Sequence, residues 1–131
     1  MADRAKAMAV TENLMTAHPD LGGLFADNES SLSGAVQALK SRGKREIKLV
    51  GFDASEALVA DLKDGWIDAL VLQDPYRMGY DSVRAITRKL QGETPAARVD
   101  LPATLATRED LLAGRVAKQL LPGFVAVGGA H

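Results

Sequence analysis

Three short apolar stretches each run into a polar side chain. Leu24-Phe25-Ala26-Asp27 leads to Asn28, Val50-Gly51-Phe52 to Asp53, and Leu70-Val71-Leu72 to Gln73. Asn and Gln offer both donors and acceptors, whereas an ionised Asp accepts from two hydroxyls at once. That is an inventory for a neutral polyol or sugar, whose hydroxyls donate and accept. Phe52, with Phe25, supplies an apolar face to go with it. Each polar residue also has a purely structural reading. Asp53 fits the N-cap of the helix that follows it, Asn28 fits the cap of its own, and Gln73 closes a strand before Pro75. Residue type alone does not decide between capping and binding.

Other chemistries find little support. The chain has no cysteine, which removes thiolate catalysis, disulfides and cysteine-ligated zinc. Of its two histidines, His18 precedes Pro19 at a helix end and His131 is the last residue. No G-x-S-x-G elbow and no glycine-rich phosphate loop follows a strand. Asp61 with Asp64, and Glu109 with Asp110, have the spacing of solvated helix faces, and no His/Asp/Glu cluster has metal-ligand spacing. No cofactor, no metal and no enzymatic activity are expected. Sixteen Lys and Arg against seventeen Asp and Glu leave a net charge of -1, which favours neither nucleic acid nor an anionic membrane. The basic cluster Lys40, Arg42, Lys44, Arg45 reads as a solvated helix end. No apolar run approaches the ~18–20 residues of a membrane span, and the first residues carry no apolar leader. A soluble chain without its own export signal is the expectation.

The elements that must position the three polar residues follow from periodicity. In 131 residues there is room for one ordinary domain. Ala7, Val10, Leu14 and Ala17 recur at helical spacing, predicting a helix over 3–18 closed by His18-Pro19. Gly23 to Ala26 is a short strand, and Leu32, Ala35, Val36 and Leu39 mark a helix that Gly43 stops. A strand over 47–52 comes next. Asp53 and Glu56 then have capping-box spacing before a helix bearing Leu58, Val59 and Leu62. A strand over 66–72 precedes a helix opened by Pro75 and stopped by Gly92. Beyond it, 98–101 and 103–106 predict two strand pieces, and 109–121 a last helix ended by Pro122-Gly123. Alternating strands and helices predict an α/β fold, a parallel sheet with helices on both faces. Ligands of such sheets bind outside the carboxyl ends of the strands, where all three polar residues fall.

The order of segments resembles a known family. Thr16-Ala17-His18-Pro19-Asp20, Leu24-Phe25-Ala26-Asp27-Asn28, Gly34 to Leu39, Leu49-Val50-Gly51-Phe52-Asp53, Leu62-Lys63-Asp64-Gly65 and Gln73 to Tyr80 together resemble the second lobe of sugar-binding proteins of the ribose-binding type. Those proteins deliver sugars to ABC importers and share their fold with lac-repressor-type effector domains. The resemblance implies that Asn28, Asp53 and Gln73 match sugar-hydroxyl contacts, that an ABC permease is the partner of the full-length protein, and that its home is the periplasm. It implies residues 1–75 as part of the second lobe and 76–131 as elements crossing back to the first, the N-terminal lobe being absent. A C-terminal fragment is therefore expected, whose uncovered surfaces a homodimer or an exchange of elements would cover. The effector part of a transcriptional regulator, and a ligand-free dimeric α/β module, are the alternative readings.

Overall fold

The computed structural model describes residues 3–116. Nine elements follow one another: α1 (Arg4–Ala17), β1 (Gly23–Ala26), α2 (Glu29–Arg42), β2 (Lys48–Phe52), α3 (Glu56–Lys63), β3 (Ala69–Leu72), α4 (Pro75–Leu90), β4 (Thr104–Thr107) and α5 (Arg108–Leu112). The strands form one sheet in the order β1-β2-β3-β4. β1 runs parallel to β2 and β2 parallel to β3, as the alternation of elements requires. The α/β class with a parallel sheet is the predicted one.

Local chemistry sets the boundaries. The Asp3 carboxylate accepts the Ala5 N–H at 2.9 Å and so starts α1. Gly43, at φ 64°, ends α2 with its N–H on the Leu39 and Lys40 carbonyls. Pro75 opens α4, where a missing N–H costs nothing. Between β2 and β3, the Asp68 carboxylate accepts the Leu49 N–H at 2.9 Å and the Asp68 N–H bonds to the Leu49 carbonyl at 2.8 Å, which fixes how the two strands enter the sheet.

The chain divides into two compact units. One contains the residues up to Leu72 and those from Leu105 onward; the other is Gln73–Thr104. The first unit holds the core. Leu32, Val36 and Leu39 of α2, Leu49 of β2, Leu58 and Leu62 of α3, Ile67 and Leu70 are buried almost completely. Each such side chain contributes about 1.5–3 kcal/mol of hydrophobic stabilisation. Two glycines let the layers approach this closely. A Cβ on Gly34 would stand 2.5 Å from the Arg4 carbonyl oxygen of α1, and one on Gly51 would stand 2.3 Å from a Leu32 methyl of α2. Because Gly51 faces α2, the alternation along β2 turns Val50 and Phe52 to the other side of the sheet. Register places Phe25 beside Val50 and Val71 beside Phe52, so all four share that second face.

The second unit is built on α4, whose Met78, Asp81, Ser82 and Ala85 form a shallow cleft with Val99 and Leu101. No α4 residue is buried.

Several sequence expectations shift. The strand predicted over 66–72 begins only at Ala69, because the Trp66 N–H bonds back to the Asp61 carbonyl at 2.9 Å in the turn that closes α3; the Trp66 ring lies under Arg45, whose guanidinium is 3.9 Å from the ring centre. Residues 98–101 form no strand, and β4 occupies Thr104–Thr107. The last helix ends at Leu112, with Gly114 at φ 70° in the turn that follows. Its predicted continuation to 121, the Pro122-Gly123 stop and the tail to His131 lie outside the described residues.

Candidate functional site

Asn28 is the N-cap of α2. Its Oδ1 accepts from the Ser31 N–H at 2.9 Å and from the Ser30 hydroxyl at 3.0 Å, while its Nδ2 donates to Asp27 Oδ1 at 2.9 Å. The capping reading of this residue is therefore correct. A side-chain amide nitrogen carries two protons, so capping leaves a donor to offer a ligand.

Asp53 departs from its capping reading. The N-cap of α3 is Ser55, whose hydroxyl accepts the Leu58 N–H at 3.5 Å, and the Asp53–Glu56 capping box does not form. Asp53 instead adopts φ 71°, the one non-glycine among the described residues in the left-handed region. Its N–H still reaches across to the Val71 carbonyl at 3.0 Å, which extends the β2–β3 ladder by one bond. Left-handed backbone costs an L-residue about 1–2 kcal/mol, least for Asp and Asn. Strain of this kind concentrates at binding and catalytic positions. The sequence held no signal for this conformation beyond an Asp directly after a strand.

Phe52 closes β2 and is half-buried, on the same sheet face as Phe25. Phe25 lies on the terminal strand and is 63% exposed. Gln73 is exposed, directly follows Leu72 at the end of β3, and opens the second unit. In the first unit the structure thus brings Asn28 and Asp53 to the carboxyl end of neighbouring strands. The N-termini of α2 and α3 lie in the same chain segments, so partial positive charge of helix ends accompanies them.

Elsewhere several charged residues are occupied structurally. Lys40 pairs with Asp61, Lys44 with Glu46 at 3.1 Å, and Arg45 donates to the Asp64 carbonyl at 3.0 Å besides covering Trp66. That agrees with the solvated helix-end reading for the basic cluster. Asp110 closes a capping box with Thr107: its carboxylate accepts the Thr107 hydroxyl at 2.6 Å and backbone N–H at 3.0 Å. These bonds, then the Arg115 guanidinium at 2.8 Å, pull its pKa down to about 2. Among the described residues no group of three or more His, Asp or Glu is placed to hold a metal ion, and no helix is long and apolar enough to cross a membrane.

A parallel sheet whose strands lead to an amide and a left-handed Asp, each just ahead of a helix, is an α/β domain of the open-sheet class, in which ligands are bound outside the carboxyl ends of the strands. Residues 1–94 match the periplasmic binding protein domain. The ribose import binding protein of Salmonella typhimurium is 35% identical over 107 residues, an alignment covering 82% of this chain and 36% of that protein. A carbohydrate transporter solute-binding protein from Agrobacterium radiobacter, solved in complex with D-arabinose, superposes with a TM-score of 0.82 at 32% identity, over 90% of this chain and 40% of the other. A ribose operon repressor of Halalkalibacterium halodurans is 29% identical over 116 residues, 83% of this chain and 33% of the repressor. The chain belongs to the periplasmic binding protein domain family. It spans about a third of the length of the curated relatives it matches, 36% for the first.

Proposed function

We propose that this chain carries part of the sugar-binding surface of an ABC-importer solute-binding protein, and that its ligand is a monosaccharide or polyol. The observation that carries the proposal is the left-handed Asp53 at the end of β2. The cap of α3 is Ser55, which leaves Asp53 outside the helix, and its two acceptor oxygens suit a vicinal diol. Asn28 supplies an amide donor, and Gln73, the residue after β3, is carried as a third hydroxyl contact. Phe52 supplies apolar surface. The set is read as one that binds without chemical conversion.

In the full-length protein the partner is an ABC permease and the compartment the periplasm. Residues 1–75 then belong to one lobe, and 76–131 to elements that cross to the other. A closing cleft needs both walls, so this chain alone is expected to bind weakly. Calorimetric titration with a panel of pentoses, hexoses and polyols tests the reading. Saturable binding of one of them, lost in Asp53→Asn, is the expected result; no saturable binding by any of them overturns it for this chain.

The similarity to a ribose operon repressor supports a second reading, in which the same sugar-contact residues serve an effector domain. Expression of a permease gene partner, against repression of a reporter by the full-length protein, separates the two.

A further inference from the structure

We propose that Asp27 is a positioning residue of the candidate site: its carboxylate holds the Asn28 side-chain amide so that one N–H is kept in place as a donor to the ligand. The role rests on the sugar-binding reading of Asn28. A primary amide has two acceptor sites on oxygen and two protons on nitrogen. In Asn28 both sites on Oδ1 are filled, by the Ser31 N–H at 2.9 Å and the Ser30 hydroxyl at 3.0 Å. One proton of Nδ2 goes to Asp27 Oδ1 at 2.9 Å. A single N–H is left among the described residues, so Asn28 meets a ligand as a donor only, through a hydroxyl or ring oxygen.

The direction of the amide is thus set from both ends. The terminal torsion of an asparagine has broad, roughly two-fold preferences, so hydrogen bonds decide where its oxygen and nitrogen point. The Ser31 N–H needs the oxygen, whereas an ionised Asp27 takes only a proton, and neither tolerates the flipped amide. A bond to a charged acceptor is also the stronger kind. Asp27 is exposed, and among the described residues no ion pair includes it. Lys6 lines the groove beside it without pairing, and Arg4 is joined to Glu29 at 3.3 Å. The cap itself belongs to Asn28, through the Ser31 bond. Loss of the Asp27 carboxylate therefore leaves α2 its cap and frees only the amide.

Two variants test this, each read with and without sugar. By NMR of the labelled chain, the Asn28 Nδ2 protons are expected to exchange with water several-fold faster in Asp27→Ala, while the Ser31 amide signal and the melting temperature stay unchanged. Asp27→Asn keeps an acceptor oxygen without the charge, so it should bring the slow exchange back. Calorimetric titration with each member of the pentose, hexose and polyol panel, D-ribose and D-arabinose among them, reads binding. Several-fold weaker binding in Asp27→Ala, recovered in Asp27→Asn, is expected. Unchanged Asn28 exchange, unchanged sugar affinity or a lowered melting temperature in Asp27→Ala overturns the positioning role and leaves the sugar reading standing. No binding of any panel member by the unmodified chain overturns the sugar reading, and this role with it.

Discussion

Asn28 and Asp53 stand level with each other across the end of the sheet. Each is two residues beyond the paired Ala26 and Gly51, so continuing the β1–β2 register sets one opposite the other. Their backbones differ sharply: Asn28 is extended at φ -161° and Asp53 left-handed at φ 71°. The first keeps its side chain on the helix it caps, while the second leaves the capping of the following helix to Ser55.

Replacing Asp53 should separate fold from binding. Asp53→Gly removes a Cβ from the left-handed region, so the first unit is expected to hold its stability or gain up to ~1 kcal/mol. Sugar binding should be lost in the same variant. Urea denaturation with calorimetric titration checks both, and a loss of more than ~1 kcal/mol would show that Asp53 is a structural residue.

Asn28 should behave in the opposite way. Asn28→Ala removes the bond to the Ser31 N–H and is expected to cost about 0.5–2 kcal/mol through α2 alone. Asn28→Asp keeps an acceptor for the cap but loses the amide donor, so it should retain stability and still weaken binding several-fold. The pair of variants, melted and titrated side by side, distinguishes the cap from the contact.

The closeness of α1 and α2 predicts a large effect from a small change. Gly34→Ala places a methyl against the Arg4 carbonyl, and backbone yields less readily than a side-chain end. A cost of about 1–3 kcal/mol is expected, read from the urea midpoint.

Acid should loosen the start of α5 as Asp110 takes up its proton. The Asp110 carboxyl has its pKa lowered to about 2 from the ordinary 3.8. A carboxylate depressed on folding stabilises above its unfolded pKa and loses that contribution as pH falls through the folded one. The Thr107 amide and Arg115 signals should therefore hold down to about pH 4 and change between there and about pH 2. Asp110→Asn should remove the transition, which amide NMR through the titration would record.

Much of this architecture was legible before any coordinates, for physical reasons that also explain the misses. Leu32, Val36 and Leu39 announce α2 because helical spacing and burial agree there, and Gly43 ends it where a left-handed residue is needed. The four-residue strands carry too few positions for a period to be read, so the sequence pattern extends β3 three residues too far at its start. Trp66 is apolar enough to extend the strand in the sequence pattern, yet its N–H is bonded to the Asp61 carbonyl in the turn after α3. In the candidate site the choice between Asp53 and Ser55 as cap rests on a backbone angle that composition does not encode.

Amide NMR of the labelled chain during titration with the sugar panel tests the central claim most directly. The account predicts that one pentose, hexose or polyol shifts the signals of Asn28, Phe52, Asp53 and Gln73 saturably in the millimolar range and leaves α5 unmoved. Signals that stay fixed with every sugar, or shifts confined to residues away from the carboxyl end of the sheet, would contradict it.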